Sequence, residues 1–293
     1  MTADAGVQVT ELKAEDHACL TFGESEELFD LTAAFIRDGL AAGLKVVWLS
    51  KAGPGLAAGE LGSRGVTVDT ALASGQMTAA GWEGRLLTGH AFRADAAVGW
   101  LAGEVESSRS QGFPGLRVAL DMSWALHPVA GVEELPTFEE GIAAALEGST
   151  AAVLCQYDRE RFDPVTLASV SGSHTRAVAA ATYHADALLR ICRQYAPPGI
   201  RVACELDFQA AEPLGRALAE AVRLGGDITV NMSALLFADA RCTLMIAEAA
   251  RAIASQGRLV QLRAVPEVAA GFIRIGLAEA PGIRLVECPA GDW

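Results

Sequence analysis

Two short segments of this chain combine residue types and spacing that could handle a nucleotide. Lys51-Ala-Gly53-Pro-Gly55-Leu-Ala-Ala58 follows the apolar run Val46–Ser50 and precedes Val66-Thr-Val-Asp69. Strand, G-x-G-x-x-A, helix, strand and acid is the pattern of a dinucleotide-binding unit. Its glycines let the backbone approach a pyrophosphate and its acid holds a ribose hydroxyl. The alternative this raises is a nucleotide- or dinucleotide-binding oxidoreductase using the Gly53/Gly55 turn and Asp69. Three features count against it: a whole strand and helix precede the supposed first strand, the interval from Gly53 to Asp69 is short, and no hydride-transfer residues stand out downstream. The second segment, Phe22-Gly23-Glu24-Ser25-Glu26-Glu27-Leu28-Phe29, has no second glycine, no lysine and no Ser/Thr after one. A phosphate-cradling loop needs that cation and that metal-binding hydroxyl, and three carboxylates would repel a triphosphate. P-loop ATP hydrolysis is not expected.

Other catalytic patterns are missing. There is no G-x-S-x-G elbow and no H-E-x-x-H, and Ser123 beside Asp121 with scattered histidines does not make a triad. Cys19, Cys155, Cys192, Cys204, Cys242 and Cys288 stand far apart with no C-x-x-C pair. Neither a zinc knuckle nor a redox dithiol is indicated, and reduced, mostly buried thiols are expected. The chain is read as not an enzyme, with no cofactor.

The length of 293 residues, with 51% hydrophobic and 20% charged side chains, suggests two domains. The net charge of -13 is uneven: residues 200–293 hold 9 basic and 11 acidic side chains, leaving 14 and 25 for the rest. The acidic first part argues against nucleic acid or an anionic membrane as its partner. No segment reaches the uncharged length needed to span a bilayer and no apolar run opens the chain. A cytoplasmic location is expected.

Apolar runs alternate with helical patterns, the habit of an α/β protein whose parallel sheet is covered on both faces. Strands are expected at Ala18–Phe22, Val46–Ser50, Val66–Asp69, Leu116–Met122 and Ala151–Gln156. The first helix carries Leu28, Leu31, Phe35 and Leu40 on one face and a Ser25 cap. Further helices are expected at Ala94–Ser108, Pro136–Leu146 and Thr175–Tyr195. Tyr195-Ala-Pro-Pro-Gly-Ile200 breaks the pattern, so the domains are read as 1–194 and 201–293 with a linker at 195–200. The second domain reads as strand Arg201–Leu206, helix Ala210–Leu224, strand Ile228–Met232, helix Thr243–Ser255, strand Arg258–Arg263, helix Glu267–Ala278 and strand Ile283–Val286.

That order, with Glu205-Leu206-Asp207 closing its first strand and the run from Ile228 to Thr243, resembles a STAS domain, the fold of anti-sigma-factor antagonists. In that family the loop after the central strand carries an Asp, two small hydroxyl residues and a Gly, and the second hydroxyl accepts phosphate from a partner kinase. The matching positions are Asp239, Ala240, Arg241 and Cys242. The resemblance implies a partner-binding loop for an anti-sigma factor, a kinase or another sigma-pathway regulator, with no phosphorylation at the family position.

Four motifs in order, Asp16-His17-Ala-Cys19-Leu-Thr-Phe22, Gly39-Leu-Ala-Ala-Gly43, Asp121-Met-Ser-Trp124 and Cys155-Gln-Tyr-Asp158, with His174 beyond, make the first domain resemble a MEDS domain. That sensory module is related to KaiC-like and RecA-like folds. The resemblance implies a KaiC/RecA-like parallel sheet and small-molecule sensing, with His17, Asp121, Trp124, Cys155, Tyr157 and His174 as ligand-sensing candidates. Several of these would lie at the carboxyl ends of strands, where open parallel sheets form their crevices. His17 and Cys155 lack a third metal ligand at recognisable spacing, so no metal is expected. The combined expectation is a two-part signalling regulator, compatible with a homodimer, that senses through the first domain and acts by protein contact through the second.

Overall fold

A computed structural model describes residues 6–51 and 53–288. The chain divides into two compact units, Met1–Ala179 and Ala180–Trp293.

The first unit is a six-stranded, all-parallel sheet flanked by helices. Its strands are β1 (His17–Phe22), β2 (Lys45–Leu49), β3 (Met77–Ala80), β6 (Leu116–Asp121), β7 (Ala151–Asp158) and β8 (Arg176–Val178), in the order β3-β2-β6-β7-β1-β8. Two-residue strands β4 (Leu87–Thr88) and β5 (Ala91–Phe92) form a separate hairpin. Every residue of β2 is buried, as are the first seven of β7, because helices cover both faces of a parallel sheet. The helices are α1 (Ser25–Ala41), α2 (Gly53–Ser63), α3 (Asp69–Ser74), α4 (Ala94–Ser110), α5 (Leu135–Leu146) and α6 (Pro164–Ser173). Leu31 and Phe35 of α1 are fully buried, and its cap is Glu24, not Ser25. Glu26 and Glu27 lie in its first turn, favourably placed at the positive end of the helix.

Two expected elements do not form. Val66–Asp69 is not a strand. Gly65 takes a left-handed φ of 74° after α2, and the N–H groups of Gly65 and Val66 bond back to Gly62 and Leu61 at 3.0 and 2.9 Å. This paired closure of the helix end takes up the Val66 donor that a sheet would need. Asp69 opens α3 instead, exposed, and β3 fills the edge beside β2. The dinucleotide fingerprint loses its second strand and with it the acid's required position. The helix expected over Thr175–Tyr195 does not form either, and strands replace it.

The second unit begins with two of those strands, β9 (Thr182–Ala185) and β10 (Leu189–Tyr195), followed by β11 (Pro198–Leu206), α7 (Ala211–Arg223), β12 (Ile228–Ala238), α8 (Ala240–Ala254), β13 (Val260–Ala264), α9 (Pro266–Arg274) and β14 (Ile283–Glu287). The sheet runs β14-β13-β12-β11-β10-β9, parallel from β11 to β14 and antiparallel through β9, β10 and β11. Asp186 makes the first turn by accepting the N–H groups of Leu188 and Leu189 at 2.8 and 2.9 Å. Residues 195–200 are no linker: Tyr195 pairs with Pro198 across a tight hairpin turn. The second unit therefore starts about twenty residues earlier than the Pro-Pro-Gly signal suggests. Helices α7, α8 and α9 bury Leu214, Leu218, Ile246, Ile253 and Phe272 against Val202, Val230 and Leu262. Each such side chain contributes about 1.5–3 kcal/mol by burial.

Among the described residues, no helix is long and apolar enough to cross a membrane.

Candidate functional site

In the first unit, β1 and β7 are neighbours with Cys19 opposite Cys155. Side chains alternate along a strand, so His17 and Cys19 share one face with Cys155 and Tyr157. Helix α5 covers this face with the stripe Leu135, Phe138, Ile142 and Leu146, and Glu139 falls within that stripe, fully buried. His174 follows the end of α6, its Nδ1 2.6 Å from the carbonyl oxygen of Val170. A carbonyl only accepts, so this nitrogen carries the hydrogen.

These elements converge on the Glu139 carboxylate. Its Oε2 lies 3.0 Å from His17 Nε2, 3.2 Å from His174 Nε2 and 3.7 Å from Cys155 Sγ. Its Oε1 accepts the Tyr157 hydroxyl. Cys155 Sγ is also 3.5 Å from His17 Nε2, and the two imidazoles lie with ring centres 4.0 Å apart. Burial works to raise the Glu139 carboxyl. The hydrogen bond from His17, the charges of His174 and His17, and the Tyr157 hydroxyl outweigh it and hold the group below its usual range. Burial, then the Glu139 charge, push Cys155 and Tyr157 well above their ordinary values. Cys19 is pushed up to about 12 for the same reasons. Burial lowers His174 to about 4, against the pull of Glu139 and with that of His17. Its Nε2 faces Glu139 Oε2 and has no hydrogen-bond partner.

The structure thus brings together four of the six sensing candidates, His17, Cys155, Tyr157 and His174, and adds Glu139. It does not bring in the other two. Asp121 ends β6 and accepts the N–H groups of Ser123 and Lys51 at 2.9 and 3.1 Å, which makes it a turn cap. Trp124 is completely buried with Phe92 4.2 Å away. Asp121, Trp124 and Tyr157 lie at or just beyond the carboxyl ends of their strands, as expected of several candidates, but His17 opens its strand and Cys155 is mid-strand, so the centre of the cluster lies between sheet and helix. A cleft of about 460 Å³ does lie nearby, lined by Leu126, Leu135, Phe162 and Val170 among others. Phe162 packs on Tyr157 with ring centres 5.1 Å apart, and Val170 holds His174, so the inner wall of this cleft touches the cluster. Glu139 was findable in the sequence, as a carboxylate on the inward stripe of an amphipathic helix.

Where nucleotide-binding loops hold phosphate, α1 is stoppered by its own acids. Gly23 N–H donates to Glu27 Oε2 at 3.3 Å, Glu26 pairs with Arg64 at 2.9 Å, and a side chain at Gly23 would collide with Arg159.

In the second unit, Asp239 caps α8 by accepting the Cys242 N–H at 2.7 Å. Cys242 turns its thiol inward to the Asp207 carbonyl at 3.2 Å, and burial, with Asp239, pushes it up to about 12. Ala240 and Arg241 are exposed on the first turn. Leu236, Phe237 and Leu244, on either side of this turn in sequence, are exposed as well.

A family model described as MEDS, the MEthanogen/methylotroph, DcmR Sensory domain, matches residues 16–175. The chain belongs to the MEDS family. A second model, described as Mlab, STAS domain, matches residues 189–287 and follows the MEDS domain in the expected order. The STAS match begins at β10, inside the stretch that the sequence reading gave to a helix. Two solved structures are similar in part: the flagellar accessory protein FlaH from Methanocaldococcus jannaschii and the KaiC-like protein PH0186 from Pyrococcus horikoshii OT3. FlaH is 11% identical over 66% of this chain and 86% of its own, with a TM-score of 0.43. PH0186 is 12% identical over 62% and 78%, with a TM-score of 0.45. No functionally curated protein matches the chain. The histidine-carboxylate-thiol cluster lies wholly within the MEDS domain.

Proposed function

We propose that this chain is a non-enzymatic cytoplasmic signalling regulator. Its MEDS domain receives a small-molecule signal, and its STAS domain passes that signal on by contact with an anti-sigma factor, a kinase or another sigma-pathway protein. The observation that carries this reading is the α8 turn. Its Asp239 cap and exposed first turn are laid out for contact, while Arg241 stands where the family's phosphate acceptor would be. Phosphate on that loop would add nearly two negative charges at the helix N-terminus. Arginine fixes the opposite sign, and the neighbouring Cys242 thiol is turned inward. Partner binding is then controlled from the MEDS domain and not by phosphorylation. The exposed apolar side chains Leu236, Phe237 and Leu244 support a contact surface beside the turn.

Affinity capture from native lysate, with the full chain and with Arg241→Ser, tests this. Wild type is expected to recover an anti-sigma kinase or sigma-pathway protein, with recovery unchanged by phosphatase treatment. Recovery by Arg241→Ser alone would show that the STAS domain has left that pathway.

A further inference from the structure

We propose that His17, Glu139, Cys155 and His174 form a buried binding site for one borderline divalent transition-metal ion, with Zn²⁺ the best fit. Donor atoms held about 2.0–2.3 Å from a tetrahedral zinc stand about 3.3–3.6 Å from one another. Four edges of the observed group measure 3.0, 3.2, 3.5 and 3.7 Å, and all four donor atoms lie within 4.8 Å of one another. Small outward shifts admit the ion. The third ligand that sequence spacing does not offer is supplied by the fold, from α5, and the fourth from the end of α6.

Further features point to a cation at this place. Val170 takes the His174 Nδ1 hydrogen, so Nε2 is the ring nitrogen turned to Glu139 Oε2, at 3.2 Å and with no hydrogen bond assigned to it. A metal ion between them would bond both atoms. Charge balances as well: Zn²⁺ with one carboxylate and one thiolate sums to zero, which suits a fully buried place. Binding displaces the Cys155 thiol proton to solvent. Tyr157 then acts as a positioning residue, its hydroxyl holding Oε1 so that Oε2 faces the ion. Two imidazoles, a thiolate and a carboxylate suit zinc and cobalt better than the all-oxygen preference of magnesium or calcium. The site is closed, which favours holding or reporting a metal over activating water.

As the ligand of the sensory domain, the metal deepens the signalling reading and rests on it only for that consequence. The full chain is produced in medium supplied with Zn²⁺ or Co²⁺ and passed through chelator. The expected result is one ion per chain and, for cobalt, a near-ultraviolet thiolate charge-transfer band with visible bands of a four-coordinate site. Cys155→Ser loses the charge-transfer band. Tyr157→Phe keeps all four donors and weakens metal affinity by about 10–100-fold. A folded wild type that retains only traces of metal, or a cobalt spectrum without the thiolate band, overturns the proposal. So does unchanged metal content in a Cys155→Ser/His174→Gln double variant. The wild-type cobalt spectrum decides even if the variants do not fold. Metal without partner capture would count against the signalling reading alone, and partner capture without metal would count against this one alone.

Discussion

Glu139 shows how one side chain can organise a buried site. Four donors or near-donors from three other elements meet at its two oxygens. Removing the Tyr157 hydroxyl takes away a hydrogen bond to a charged group, which is usually worth about 1.5–3 kcal/mol. Tyr157→Phe should lose about that much stability in urea unfolding, with little change in the slope. Trp124 separates packing from site chemistry. It is fully buried against Phe92 and away from the carboxylate's partners, so Trp124→Ala should cost about 3–5 kcal/mol. Any of that chain which stays folded should still bind metal like wild type; a lost ion would return Trp124 to the sensing set. His17, Cys155, Tyr157 and His174 were legible because they fall in motifs whose order resembles that of a MEDS domain. Glu139 was less so, because a glutamate in a helix is common and only its place on the stripe with Phe138 and Ile142 marks it.

Strands with continuous apolar runs, such as Lys45–Leu49 and Leu116–Asp121, were legible within a residue or two of their ends. The stretch after α6 was not. Its alanines favour a helix locally, yet pairing of Leu189–Tyr195 with β11 over its whole length overrides that preference. Val66–Asp69 misled in the other direction, since its buried valines look like a strand while its first N–H belongs to a helix end. Two predictions follow from caps and turns. Asp239→Ala removes the cap of α8 and should cost about 1 kcal/mol, read as a lower Tm. At the β9–β10 turn, the backbone N–H of Leu188 and then His184 hold the Asp186 carboxyl below its ordinary value of 3.8. A depressed acid stabilises fully above its unfolded value and loses that contribution as pH falls through the folded one. Hydrogen-exchange protection at Leu188 and Leu189 should therefore hold at pH 5 and fall below pH 3.8. Protection unchanged into strong acid would show that the turn does not depend on that carboxylate.

The position of the unit boundary has practical weight. A fragment cut at residue 200 would discard β9 and β10 and leave the long, buried strand β11 as an open edge. Such an edge invites pairing between chains. Residues 180–293 should purify as a dispersed species with a cooperative thermal transition, and residues 200–293 should aggregate, as light scattering would show. Equal behaviour of the two fragments would mean that the β9–β10 hairpin is dispensable. The alternation of strands and helices was enough to predict two α/β units, but the boundary was hidden by a Pro-Pro-Gly turn that looks the same in a hairpin as in a linker.

Among the described residues, strand β1 pairs with β7 and β8 alone, both made at the far end of the same unit. During synthesis, the apolar segment from His17 to Phe22 leaves the ribosome well before the residues it will pair with, from Val153 onward, exist. For most of the time the MEDS domain is being translated, this strand has no neighbour. The nascent chain must be kept from its own kind until β7 arrives. Slow decoding ahead of residue 151 would lengthen that exposure, and a chaperone bound to the first strand would be displaced only as the last strands emerge.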